Sequence, residues 1–157
     1  MDARLDYLTS TTGATIIKHV MAAGRALKES PLPSTTMELV ALRVSQLNGC
    51  APCIDMHTKD AAHAGESAVR LNLVAAWREA TVFTEAERAA LELAEAGTRV
   101  ATVPEGVGYE VWERAAQHYD EEELAALVVM ISFMNMVNRL NIITRQPAGN
   151  YEPGQFH

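Results

Sequence analysis

Positive charge is scarce in this chain of 157 residues: 13 lysines and arginines stand against 20 aspartates and glutamates, for a net charge of −7. No basic patch is present to neutralise phosphates, which excludes nucleic acid as a partner, and the acidity reads as solvated surface. Cysteine is rarer still, at two residues. A second Cys or Cys/His pair at zinc-finger spacing is therefore missing. No Gly-rich phosphate loop occurs; Gly106-Val-Gly108 is too short for a dinucleotide fingerprint and follows no strand, so neither flavin nor nicotinamide is implied. Near the start, Thr15-Ile16-Ile17-Lys18-His19 is broken by charge too soon for a signal peptide. A cytoplasmic location is the resulting expectation, and there a C-x-x-C favours catalysis over a permanent staple.

What is present favours helices. Apolar residues make up 48% of the chain, and only nine glycines and six prolines interrupt it. With alanine, leucine, glutamate and valine dominant, the reading is a single, all-α domain with a substantial core. Residues 1–10 read as an extended arm, followed by a helix over 12–28 that Pro31 and Pro33 terminate. Further helices are expected over 35–47, 51–64 with Gly65 as C-cap, 67–79, 84–100, 109–118 and 121–144. The 67–79 helix should carry Val69, Leu71, Val74, Ala75 and Trp77 on one side. Thr84-Glu85-Ala86-Glu87 is a capping-box signature, and the acidic run from Asp120 suits a helix start.

The final helix is apolar nearly all round between Leu127 and Val137, which implies burial on most sides. Ser132, Asn135, Asn138, Arg139 and Asn141 interrupt any membrane span, so a core combined with a subunit interface is favoured. Met130, Met134 and Met136 fit flexible core filler better than a copper surface. Asn138 and Arg139 need polar partners, either around a site or across subunits. Residues 146–157 form an irregular tail, expected to drape over a neighbour or to be disordered.

The most informative segment runs from Glu38 to His57 and holds both cysteines as Cys50-Ala-Pro-Cys53. A helix beginning after Gly49 would bring Cys50, Cys53 and His57 onto one face. Unpaired N–H groups and the dipole at a helix start favour thiolate, the reactive form of cysteine. An imidazole one turn on can exchange protons near neutral pH. A short turn at Asn48-Gly49 could fold Glu38 back toward the same place. Alternatives stay open at this point: Thr35-x-x-Glu38 could be a capping box, His57 a core histidine, and Cys50, Cys53, His57 and His63 or Glu38 a zinc set. A purely structural disulfide is disfavoured because the loop it closes is so small. Redox chemistry ranks ahead of zinc, and no metal is expected.

The pattern E-x11-C-x-x-C-x3-H resembles the alkyl hydroperoxidase D (AhpD)-like group of the carboxymuconolactone decarboxylase superfamily. Flanking text agrees: Ser45-Gln46-Leu47-Asn48-Gly49 before the cysteines and Asp55-Met56-His57-Thr58-Lys59-Asp60-Ala61 after them. So do Ala76-Trp77-Arg78-Glu79-Ala80, Phe83-Thr84-Glu85-Ala86-Glu87-Arg88, and Asn138-Arg139-Leu140, placing the AhpD-like domain at 31–145 after an N-terminal arm and helix at 1–30. The resemblance implies an oligomeric helical domain that reduces hydroperoxides, with Cys53 peroxidatic, Cys50 resolving, and Glu38 and His57 in the proton relay. It also implies a homotrimer or homohexamer and a lipoyl- or thioredoxin-type dithiol reductant, with no further cofactor. One departure is Pro52, where well-studied members carry a second histidine. Two further readings are a dithiol–disulfide carrier serving a partner peroxidase and a redox-sensing oligomer. The decarboxylase branch lacks the C-x-x-C, so decarboxylation is not expected.

Overall fold

A computed structural model describes residues 2–155 and contains helices only among them. These are α1 (Thr11–Lys28), α2 (Ser34–Asn48), α3 (Ala51–His63), α4 (Ala68–Leu73), α5 (Glu85–Thr98), α6 (Tyr109–Ala116) and α7 (Glu121–Thr144), with a 3-10 turn at Val74–Ala76 after α4. The all-α reading holds.

Helix α2 is the hub, packing against α3, α5 and α7. Its burial runs all round, from Thr36 and Met37 through Val40, Ala41 and Leu42 to Val44 and Ser45. One face joins α5 and α7 in a core containing Val40, Val44, Ala90, Leu93, Leu127, Met130 and Met134 together with both cysteines. The other face, through Leu39 and Leu42, meets Ala61, Leu71, Val74, Trp77, Phe83 and Leu91. A helix buried on both sides cannot shift without disturbing two cores, which makes it a rigid base for a site.

Local signals explain most helix ends. Thr84 and Glu87 form a reciprocal capping box at the start of α5, and Asp120 and Glu123 form another at α7. Gly49 closes α2 at φ +73°, a left-handed conformation that favours glycine, while the Cys50 N–H reaches back to the Ser45 carbonyl. Gly65 does the same after α3, at φ +97°.

Three expectations need correction. Thr35 and Glu38 form no capping box: α2 begins after Pro33, without a side-chain cap, and the Glu38 carboxylate is engaged elsewhere. The 67–79 segment is not one amphipathic helix, because it tightens into a 3-10 turn after Leu73 and leaves Val69 and Ala75 exposed while Leu71, Val74 and Trp77 are buried. Helix α7 buries a single stripe, Leu127, Met130, Ile131, Met134 and Asn138, and exposes Val128, Val129, Met136, Ile142 and Ile143. By length and composition α7 could cross a membrane, but its buried stripe has the three-to-four spacing of a core helix.

The described part of the tail packs on its own chain. Lys59 donates to the carbonyls of Gly149 and Tyr151 at 3.1 and 2.9 Å, the Gly149 N–H donates to Asp55, and the Tyr151 hydroxyl donates to Asp60. Burial first, then the Asp60 carboxylate, push the Tyr151 hydroxyl up to about 12. The tail therefore clasps the outer face of α3.

Candidate active site

The turn between α2 and α3 positions the cysteines. Cys50 is the N-cap of α3 and Cys53 its third residue; their Cα atoms are 5.4 Å apart and their sulfurs are joined as a disulfide. Pro52 occupies the second helical position, where its missing N–H deprives the helix of no internal hydrogen bond. Both cysteines are deeply buried, at 0% and 2% exposure.

His57 follows Cys53 by one helical turn. Its Nδ1 lies 2.8 Å from Glu38 Oε2, across the α2–α3 hairpin. A carboxylate can only accept, so the pair places the imidazole proton on Nδ1 and leaves Nε2 free to take a proton. Nε2 is buried and has no hydrogen-bond partner among the described residues. A buried polar atom without a partner is costly, and a reaction that brings a proton to it is one reason to tolerate it. The sequence-predicted residues Glu38, Cys50, Cys53 and His57 thus fall within one hairpin, and Glu38 and His57 touch directly. Of the two fourth donors considered for zinc, His63 lies exposed at the far end of α3, and Glu38 is the one bonded to His57.

Helix α7 supplies further polar residues, of which the sequence reading singled out Asn138 but gave Asn135 and Asn141 no part in a site. Asn135, Asn138 and Asn141 recur every third residue and face the hairpin. Asn135 and Asn138 accept from Asn48 at 3.0 and 2.9 Å, and Asn138 donates to Ser45 Oγ at 3.1 Å. Asn138 is fully buried, which answers its need for partners within the chain. Asn141 Nδ2 donates to Cys53 Sγ at 3.3 Å. Arg139 instead points outward and donates to Asn135 on its own helix. The N-x-x-N-x-x-N spacing was the available signal for this stripe.

A second unanticipated feature locks α2 to α5. Glu95, 1% exposed, accepts from Arg43 at 2.8 and 2.5 Å, from the Trp77 indole at 2.9 Å and from Arg78 at 2.5 Å. Burial alone would raise its carboxyl, but hydrogen bonds from Arg78, Trp77 and Arg43 and the charge of Arg43 outweigh it and hold the group at about 2. Two surface clefts, of about 270 and 420 Å³, border this region, and neither has Glu38, His57 or a cysteine in its lining.

The family model for the carboxymuconolactone decarboxylase family matches residues 15–96. The uncharacterized protein YdfG of Bacillus subtilis is 42% identical over 128 residues, spanning 80% of this chain and 84% of that protein. A crystal structure from Agrobacterium tumefaciens, of a protein of unknown function described as a candidate AhpD antioxidant defence protein, matches at a TM-score of 0.88 and 34% identity. That match covers 96% of this chain and 100% of the other. The debrominase Bmp8 in its apo form shares the fold alone, at a TM-score of 0.77 and 18% identity over 92% of this chain and 76% of that one. The chain belongs to the carboxymuconolactone decarboxylase family and has its AhpD-like helical fold.

Proposed function

We propose that the protein is a thiol-dependent hydroperoxide reductase of the cytoplasm, cycling Cys50 and Cys53 between dithiol and disulfide. The observation that carries this reading is the Glu38–His57 pair, with its unpartnered Nε2, one turn from a cysteine pair at a helix start. In the cycle, His57 Nε2 takes the Cys53 thiol proton and the resulting thiolate attacks the terminal oxygen of the hydroperoxide. The O–O bond breaks, Cys53 becomes a sulfenic acid, and the departing alkoxide takes a proton from the His57–Glu38 pair to leave as alcohol. Cys50 then attacks the Cys53 sulfur; the S–S bond forms and hydroxide leaves with a proton as water. An external dithiol, of lipoyl or thioredoxin type, returns the pair to the reduced state by exchange. Exposed apolar side chains on α7, including Val129 and Ile143, support a homo-oligomer, a trimer or hexamer by family resemblance.

The test is consumption of an organic hydroperoxide by reduced protein with a dithiol, comparing wild type with Cys53→Ser. Turnover in wild type that vanishes in the variant supports the reading. An inert wild type whose disulfide still forms and reopens would replace it with a carrier that passes electrons to a partner peroxidase. Pro52, where relatives supply a relay histidine, favours that second reading.

A further inference from the structure

Among the described residues, the side-chain hydrogen bond to Cys53 Sγ comes from neither α2 nor α3. Asn141 Nδ2 approaches at 3.3 Å from α7, 88 residues away in sequence. The orientation of that amide is fixed from its other side, where Tyr7 Oη donates to Asn141 Oδ1 at 2.9 Å. Flipping the amide would set Oδ1 against the sulfur lone pairs, so the N–H faces the sulfur. Burial, and secondly the charge of Asp6, raise the Tyr7 hydroxyl above its usual value, so it keeps its proton at working pH.

The N-terminal arm is built to hold Tyr7 there. The Arg4 N–H donates to the Thr144 carbonyl at 2.7 Å, and Gln146 donates to the Leu5 carbonyl at 2.9 Å. Ser10 caps α1 by accepting from the Gly13 N–H and also donates to the Tyr7 carbonyl. Tyr7 and Asn141 both lie outside the residues matched by the family model.

We propose that Asn141, oriented by Tyr7, is a positioning residue that stabilises negative charge on Cys53 and so makes it the leaving sulfur when the disulfide is reduced. This rests on the dithiol cycle proposed above but not on peroxide being the substrate. An incoming dithiol thiolate attacks Cys50 Sγ; the new S–S bond joins reductant to Cys50, and the old bond breaks with its electron pair passing to Cys53. The thiolate so formed is the species that an amide N–H stabilises best, since hydrogen bonds to charged groups are stronger than neutral ones. Pro52 has no N–H to offer from the first turn of α3, and Asn141 adds a donor from α7.

The experiment measures the Cys53 thiol pKa from the pH dependence of alkylation, and the disulfide potential in a dithiol redox buffer, for wild type, Asn141→Leu and Tyr7→Phe. Neither readout requires peroxidase activity. Asn141→Leu is expected to raise the Cys53 pKa by about one unit, a tenfold loss of thiolate below that pKa. The same tenfold change in the exchange equilibrium lowers the disulfide potential by ~30 mV. Tyr7→Phe, which frees the amide to turn, should move both in the same direction by less. Unchanged pKa and potential in both folded variants would overturn the proposal. Should Asn141→Leu fail to fold, Tyr7→Phe decides alone: a raised Cys53 pKa sustains the proposal and an unchanged one overturns it. Loss of peroxidase turnover without either shift would count against this role while leaving the hydroperoxide reading intact.

Discussion

Glu38 Oε2 and His57 Nδ1 meet at 2.8 Å although 19 residues separate them in sequence. The contact exists because Gly49 reverses the chain in a left-handed turn and α3 then runs back along α2. One glycine thus brings a carboxylate and an imidazole on successive helices into a hydrogen-bonded pair.

That pair should be separable by mutation. His57→Gln removes the proton acceptor, and hydroperoxide turnover is expected to fall by roughly a hundredfold or more. Glu38→Gln keeps an acceptor for Nδ1–H but removes the charge that supports an imidazolium, so a smaller loss of about tenfold is expected. Circular dichroism should be unaltered in both. Wild-type turnover in His57→Gln would remove the pair from the mechanism.

Glu95 is expected to govern stability, not chemistry. In Glu95→Ala, Arg43 and the Trp77 indole lose a shared buried partner, and breaking such a cluster costs on the order of 3 kcal/mol, or roughly 10 °C in Tm for a chain of this size. The pH dependence follows from the depressed carboxyl. Glu95 binds its proton at about 2 when folded and near the ordinary carboxylate value when unfolded. Its stabilisation is therefore complete above the unfolded value and is lost as pH falls from about 4.5 toward 2. Denaturant melts of wild type and Glu95→Gln across that range should converge at the acid end; parallel curves would refute the assignment.

Gly13 offers a test of the arm. A Cβ there would lie 1.9 Å from the Tyr7 carbonyl oxygen and 2.6 Å from Ser10 Oγ, so the close approach requires glycine. Alanine would gain up to ~1 kcal/mol of helix propensity, yet the clash with backbone must displace the arm. Gly13→Ala is thus expected to speed hydrogen exchange and proteolysis over residues 4–10, with the core melting little changed. Arm protection equal to wild type would contradict the packing.

Much of the fold could be read from local sequence because the deciding forces are local. Thr84 with Glu87 and Asp120 with Glu123 mark helix starts through contacts three residues apart. The hairpin that brings Glu38 to His57 was legible through their spacing around Asn48-Gly49, and the family resemblance pointed to the same residues. What escaped depends on distant partners. Glu95 looks like any solvated glutamate until Arg43, Trp77 and Arg78 converge on it. The 3-10 turn after Leu73 leads to Trp77, whose indole bonds that carboxylate, a partner invisible within 67–79. Asn141 has no meaning as a ligand of sulfur until the packing of α7 on α2 brings it to the start of α3, and the tail's irregular composition hides the hydrogen bonds that Asp55, Lys59 and Asp60 offer it.

Both cysteines are sheltered almost completely from solvent. A reactive dithiol enclosed in this way is insulated from the bulk pool of small thiols and oxidants, so its selectivity comes from admission ahead of intrinsic nucleophilicity. Under the proposed cycle, turnover would have a ceiling set by how often a sulfur becomes exposed, which raising substrate concentration would not lift. In the proposed cycle the same enclosure would guard a Cys53 sulfenic acid against a second oxidant molecule, with Cys50 beside it. Such a centre trades speed for resistance to its own inactivation.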